Sequence, residues 1–285
     1  LSQAIVPPQR IEDGVVIVRV IEGYIDNVDI KGVVKGRPKL LKSYGEKIKR
    51  SNPLHINTLE RYLMLINDLS GVNVKSVLNP SAQNPGAANL TLIATHQYWD
   101  GFGSVDNRGS RYAGPFEGTG ALNLNSILGM YDNTSIQSVV THPTSEMKFF
   151  YIAHQQPIGS EGMKLTFTAT ASDTESGHDL KTFGVEGESS SYTLLLTSPY
   201  IRSRKKNLSA NLAFSFKESN TDISGSLSAK DRLRVLKLGG SFDFIDKYNA
   251  INLVTFKANK GFDIFGPTKT GSDNLSRTAG THDFI

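Results

Sequence analysis

Hydrophobic and polar positions follow two different rhythms along the chain, and the rhythm changes near residue 96. Before that point, short apolar runs alternate with helical spacing. Residues 15–21 (VVIVRVI) are β-branched and bounded by Asp13-Gly14 and Gly23, which predicts a strand. Residues 24–31 place Ile25, Val28 and Ile30 in a second, less regular strand. Pro38 opens a basic stretch, PKLLKSYGEKIKR, with proline where a first helical turn tolerates it. A second helix follows, in which Leu59, Leu63, Ile66 and Leu69 share one face. Asn57 followed three residues later by Glu60 predicts a capping box at its start, and Ser70-Gly71 predicts its end. Residues 72–78 and 89–95 read as strands on either side of the loop NPSAQNPGAA. The order strand, helix, helix, strand, strand describes a compact α+β module.

From residue 97 onward period-2 segments alternate with Gly, Asn, Asp, Ser and Pro clusters. In 208–216, Leu208, Ala210, Leu212, Phe214 and Phe216 share one face, and Ser209, Asn211 and Ser215 share the other. In 234–244, Leu236, Leu238, Phe242 and Phe244 oppose Lys237, Ser241 and Asp243. In 163–169, Met163, Leu165 and Phe167 oppose Lys164, Thr166 and Thr168. Weaker alternation runs through 98–106, 116–127, 135–142, 147–155, 183–197 and 251–262, so nine strands are expected. Two architectures use such strands. A soluble sandwich buries its apolar face, whereas a transmembrane barrel turns that face to lipid and the small polar one to a wet lumen. Alternation is the same in both. Strand length, the lysines, serines and asparagines of the polar face, and aromatics gathered toward strand ends favour the membrane. On that reading Leu212, Phe214, Leu238 and Phe242 face lipid, and Asn211, Ser215, Lys237 and Ser241 face the lumen.

Composition narrows the chemistry. The 285 residues contain no cysteine, which removes disulfides, thiolate metal sites and a cysteine nucleophile. The net charge of +4 is too small and too evenly spread to indicate nucleic acid. The six histidines (His55, His96, His142, His154, His178, His282) show no metal-ligand spacing, and there is no nucleophile elbow, Walker lysine or complete dinucleotide fingerprint. Neither an enzyme nor a metal or nucleotide cofactor is expected. No run is long and apolar enough for a membrane-spanning helix, which excludes a transmembrane helix but not a transmembrane barrel, whose strands need only about 9–11 alternating residues. The chain begins with leucine without a signal-like segment, and GTHDFI stops at what reads as the start of a strand. It reads as a piece of a longer protein.

Local strings carry a resemblance. IVPPQRIEDGVVIVRVIEGYIDNVDIKG resembles the junction between two POTRA domains in outer-membrane transporters of the two-partner secretion family, the hemolysin and hemagglutinin secretion proteins. NTLERYLMLINDLSGVNVKSVLNPSAQNPGAANLTL resembles the second half of their second POTRA domain, GFGSVDNRGSRYAGP their first barrel hairpin, and SILGMYDN their first periplasmic turn. The resemblance implies a first-POTRA remnant over residues 1–22, a second POTRA domain over 23–96, and the first part of an outer-membrane β-barrel over 97–285. It further implies a bacterial outer-membrane location with the POTRA domain in the periplasm. Its partners would be one unfolded secreted exoprotein with a hemagglutinin-like secretion domain and the membrane lipid, with no nucleic acid and no cofactor, and the transporter itself would be monomeric. A barrel-assembly factor is the alternative within the superfamily; a passive porin, or a soluble adhesin or enzyme, lies outside it. The family's long pore loop with its VRGY/F tip has no counterpart here.

Two segments become candidate sites. In the usual POTRA topology the strand Val72, Asn73, Val74, Lys75, Ser76, Val77, Leu78 lies at a sheet edge, which can accept an extended peptide through main-chain hydrogen bonds. The plain alternative is an edge protected by Lys75 and solvated. The run Asp106, Asn107, Arg108, Gly109, Ser110, Arg111, Tyr112 reads as a hairpin turn in which Asn107 and Gly109 supply permissive backbone geometry. Its functional reading is an extracellular tip beside the first barrel strand.

Overall fold

The computed structural model describes residues 3–11, 14–278 and 280–281. Its elements in chain order are β1 (Gln3–Ile5), β2 (Arg19–Ile21), β3 (Tyr24–Gly32), α1 (Pro38–Lys49), α2 (Ile56–Asn67), β4 (Val72–Pro80) and β5 (Ala87–His96). Nine long strands follow: β6 (Trp99–Asp106), β7 (Phe116–Asn125), β8 (Asn133–His142), β9 (Met147–Ile158), β10 (Met163–Glu175), β11 (Val185–Arg202), β12 (Lys206–Ile223), β13 (Ser226–Ile245) and β14 (Ile251–Gly261).

The first part is a three-stranded sheet in the order β3-β5-β4, parallel between β3 and β5 and antiparallel between β5 and β4. Both helices cover one face. Leu41, Tyr44 and Ile48 of α1 and Leu59, Leu65 and Ile66 of α2 meet Ile25, Leu90 and Leu92 in one buried cluster. Tyr44 is sealed in this core, and burial pushes its phenol up to about 12.

Two local expectations are corrected. The α2 N-cap is His55, with no side-chain cap, and Asn57 lies inside the first turn. The Leu54 amide binds the Gly23 carbonyl at 2.8 Å and the His55 amide binds the Ser51 hydroxyl at 3.0 Å, so tertiary anchoring starts the helix early. Glu60, freed from any capping box, instead accepts the Arg204 amide at 2.9 Å. The expected strand 15–21 is formed only over 19–21, paired with β1. At Ile17 the Gln9 side chain takes both main-chain groups, at 2.6 and 2.8 Å, in place of a neighbouring strand. Asp13 lies outside the described residues, as do His282 and most of the terminal GTHDFI.

The nine long strands form one antiparallel sheet in sequence order, β6 through β14, with β6 and β14 as its open edges. Register carries each face across the sheet. Gln156, Leu165, Leu196, Leu212, Leu238 and Ala258 align in one row; Asn123, Ser135, Ala153, Thr168, Thr193 and Ser215 align in another on the opposite face. The apolar face is open: Leu194 is 49% exposed, Leu212 45% and Leu238 53%, and among the described residues no second layer covers them. Ala153, Ala213 and Ser215 on the polar face are buried. A sheet that curls with its polar side inward crowds small residues there and splays large ones outward. This is the unclosed wall of a barrel with an apolar exterior, not half of a soluble sandwich.

Several strands, β8 through β13, run past the alternation that marked them. β11, β12 and β13 run 18, 18 and 20 residues. Their outlying stretches (ESSS, KESNTD, and SLSAKDR apart from Leu227 and Ala229) are polar on both faces, in contrast to the apolar face of their other halves.

Candidate functional site

The turns β7–β8, β9–β10, β11–β12 and β13–β14 lie at one end of the sheet, and the first three meet the α+β module there. This is the near end. Tyr131 of the β7–β8 turn is inserted into the module's hydrophobic core, where burial pushes its phenol up to about 12. Gly36 makes the insertion possible, since a Cβ at that position would lie 2.5 Å from the Tyr131 ring. Gly162 (φ +82) plays the same part in the β9–β10 turn, against Leu65.

Charge then fixes the orientation. Arg202, at the end of β11, donates to both carboxylate oxygens of Asp68 at 2.7 Å, and Lys164 of β10 donates to the Asp68 carbonyl at 2.8 Å. Arg61 of α2 donates to the carbonyls of Pro199 and Tyr200 at 3.1 and 2.9 Å. Glu161 bonds Lys47 and Arg61. Burial alone raises its carboxyl, but the hydrogen bonds and charges of Lys47 and Arg61 outweigh that and hold it below the ordinary glutamate range. Short strings in the sequence gave no sign of this seam, because its partners lie about a hundred residues apart.

The segment 72–78 lies within β4, at the outer edge of the three-stranded sheet. Antiparallel pairs alternate between bonded and non-bonded residues, so every second residue of β4 aims its main chain away from β5. Val74 is one of these: its amide binds the Asn67 side-chain oxygen at 2.7 Å. By the same parity Val72, Ser76 and Leu78 point outward, and the Val72 amide is taken by the Leu69 carbonyl at 3.1 Å. Ser76 and Leu78 therefore present the open part of the edge. Lys75 points its main chain into the sheet, so the expected protection by Lys75 is by its side chain only. Beside this edge a groove of about 570 Å³ is lined by Leu59, Leu63, Met64, Val74, Ser76 and Arg202, among others. Sequence reading missed the α2 wall because those residues already accounted for a core-facing helix.

The segment 106–112 opens the β6–β7 connection at the far end, and that connection runs over residues 107–115. The Asp106 carboxylate accepts the Arg108 amide at 2.9 Å. Asn107 and Gly109 do not adopt left-handed geometry, contrary to expectation; Gly114 does, at φ 96. Gly109 is needed for clearance, because a Cβ there would lie 2.0 Å from the Gly114 carbonyl oxygen. Ser110 and Arg111 are exposed, the Arg111 guanidinium lies over the Tyr112 ring, and the Tyr112 carbonyl accepts the Gly177 amide from the β10–β11 connection at 2.8 Å. The two candidate segments thus stand at opposite ends of the sheet. Ser215 is fully covered and bonded to the Thr193 hydroxyl at 2.9 Å, so it is not open to a pore as expected. Among the described residues no group of acidic or histidine side chains could hold a metal ion.

Comparisons with known proteins agree with this geometry. The family model described as ShlB, haemolysin secretion/activation protein ShlB/FhaC/HecB, matches residues 89–283. The heme/hemopexin transporter protein HuxB of Haemophilus influenzae is 23% identical over 245 residues, which cover 85% of this chain and 43% of HuxB. The chain thus spans less than half of that relative. Among solved structures, CdiB from Escherichia coli superposes with a TM-score of 0.76 at 18% identity, over 95% of this chain and 51% of that one. CdiB from Acinetobacter baumannii gives 0.65 at 17% identity, over 92% and 50%.

Proposed function

The chain belongs to the haemolysin secretion/activation family ShlB/FhaC/HecB, and from that premise we propose that it captures an unfolded secreted exoprotein in the periplasm and passes it out through the barrel. Residues 23–96 serve as the membrane-proximal POTRA domain, 1–22 as the remnant of a preceding one, and 97–285 as the first part of the barrel wall. The exported partner carries a hemagglutinin-like secretion domain, and the transporter acts as a monomer.

One observation carries this reading: an edge strand with free main-chain groups at Ser76 and Leu78 stands on a module latched to the near end of a polar-lined sheet. Strand addition relies on main-chain groups, so it tolerates sequence variety, as a receptor for an unfolded chain requires. An adjoining groove, with Leu59, Leu63, Met64 and Val74 as its apolar wall, takes alternate side chains.

The test is site-specific photocrosslinking in the full-length protein during export. A photoreactive residue at Ser76 or Leu78 is expected to capture the partner's secretion domain, and one at Lys31 on the opposite edge strand is not. Normal export without crosslinks at 76 and 78 would exclude this edge as the receptor. Efficient barrel insertion of unrelated outer-membrane proteins would favour the assembly-factor alternative.

A further inference from the structure

A cleft of about 410 Å³ lies between the start of α1 and the near-end turns β7–β8 and β9–β10. Leu40, Met130, Tyr131 and Pro157 supply apolar wall, and among the described residues Arg37 and Lys39 supply the only charges of the lining. Both cations are exposed, and among the described residues neither enters an ion pair. The two carboxylates carried by the same turns are already committed. Asp132 is buried and accepts the amides of Leu128 and Met130 at 3.1 and 3.2 Å, and Glu161 is held by Lys47 and Arg61.

Position decides what such a cleft meets. Gln156, also in its wall, stands on the sheet face that carries Leu165, Leu196 and Leu212, so the cleft adjoins the apolar exterior. Ile127 and Leu128 project from the same β7–β8 turn, and Trp99, Tyr200 and Tyr248 are exposed around the near end. Exposed Trp and Tyr side chains at strand ends mark the headgroup level of a bilayer.

The geometry points to a binding site for the headgroup of one anionic phospholipid of the periplasmic leaflet, of the phosphatidylglycerol class. Its phosphate pairs with Arg37 and Lys39, and its glycerol and first acyl carbons lie on Leu40 and Met130. An arginine offers a fork of donors matched to phosphate oxygens. A zwitterionic headgroup would bring its own ammonium against two cations, so charge selects the anionic class. A lipid seated there touches module and barrel together, which extends the seam into the membrane.

The test uses native mass spectrometry of the full-length protein titrated with dioleoyl-phosphatidylglycerol or dioleoyl-phosphatidylcholine. One phosphatidylglycerol is expected to be retained, with affinity reduced on the order of thirtyfold by Arg37→Gln with Lys39→Gln, the worth of about two interfacial cations. Lys42→Gln with Lys49→Gln, which removes equal charge from α1 outside the cleft, is expected to leave retention unchanged. Equal loss in both variants, no loss in the first, or equal retention of the two lipids would overturn the site. Displacement by inorganic phosphate alone would identify a free-anion site and overturn the lipid assignment. Should the first variant fail to fold, Leu40→Trp in otherwise native protein reports directly: brominated phosphatidylglycerol in nanodiscs must quench the added fluorescence more than brominated phosphatidylcholine does. These readouts are of lipid, not export, so they stand or fall apart from the translocation reading.

Discussion

Asn67 sets how much of the β4 edge is open. Its side chain binds the Val74 amide at 2.7 Å and the Leu63 carbonyl at 3.0 Å, standing in for a neighbouring strand at one position. Asn67→Ala should cost about 1 kcal/mol, a typical net hydrogen bond, and free one more residue of the edge. Amide exchange at Val74 should accelerate, and partner crosslinks should extend to position 74; unchanged exchange would show that Asn67 does not close the edge. Glu161 sets the pH response of the seam. Its folded pKa lies below the ordinary 4.5, so its stabilising effect is complete above 4.5 and is lost only as pH falls through the depressed value. Spin-label distances between module and barrel should therefore hold from neutral to mildly acidic pH and widen below that range. Widening already above 4.5 would mean that Lys47 and Arg61 do not hold the carboxylate. Alternation marked residues 72–78 as a strand, and the family resemblance put that strand at a sheet edge. Neither could find Asn67 or Glu161 as partners, because an asparagine at a helix end and a glutamate in a turn are both ordinary surface residues.

Strands and helices were legible where burial is one-sided. Leu59, Ile66 and Leu69 are buried as their spacing predicted, and all nine sheet strands occupy their expected places. The start of α2 was misplaced because Asn57 and Glu60 satisfy a local rule that the Gly23 and Ser51 contacts override. The alternating faces make a sharp prediction. Leu212→Arg should oppose membrane insertion by about 2–4 kcal/mol, while Asn211→Arg should be mild. Single cysteines resolve the cause: position 212 should be shielded from water-soluble maleimide and quenched by lipid-borne probes, and position 211 should react through the pore. Equal quenching of both would contradict the assignment of faces. Position 215 is unsuitable as the pore-side reporter, since Ser215 is covered by its neighbours.

At the scale of the whole molecule, the nine-stranded sheet keeps β6 and β14 as open edges. Unpaired main-chain groups in hydrocarbon cost several kcal/mol each, so a spanning barrel must close. The polypeptide of residues 1–285 alone should accordingly give no discrete conductance in planar bilayers, whereas the full-length protein should. Discrete single-channel steps from the short polypeptide would show that this sheet closes on itself or with copies of itself. The seam also fixes where the proposed receptor edge stands: with Tyr131 in the module core and Asp68 clamped by Arg202, β4 is held beside the near-end rim instead of swinging on a linker.

Local periodicity by itself determined the α+β order of the first 96 residues and the nine strands that follow, because pleat and helix impose their periods on any sequence that buries one face. Motif resemblance added the family. Alternation could not say which face is inside, since a sandwich and a barrel wall share it; the tertiary structure decided that by leaving Leu212 and Leu238 uncovered and crowding Ser215. Nor could it locate the docking seam, where Arg202 reaches Asp68 across 134 residues and Lys164 reaches it across 96. Ion pairs and inserted side chains of that kind depend on where separate segments meet in space, and that position is set by the fold as a whole.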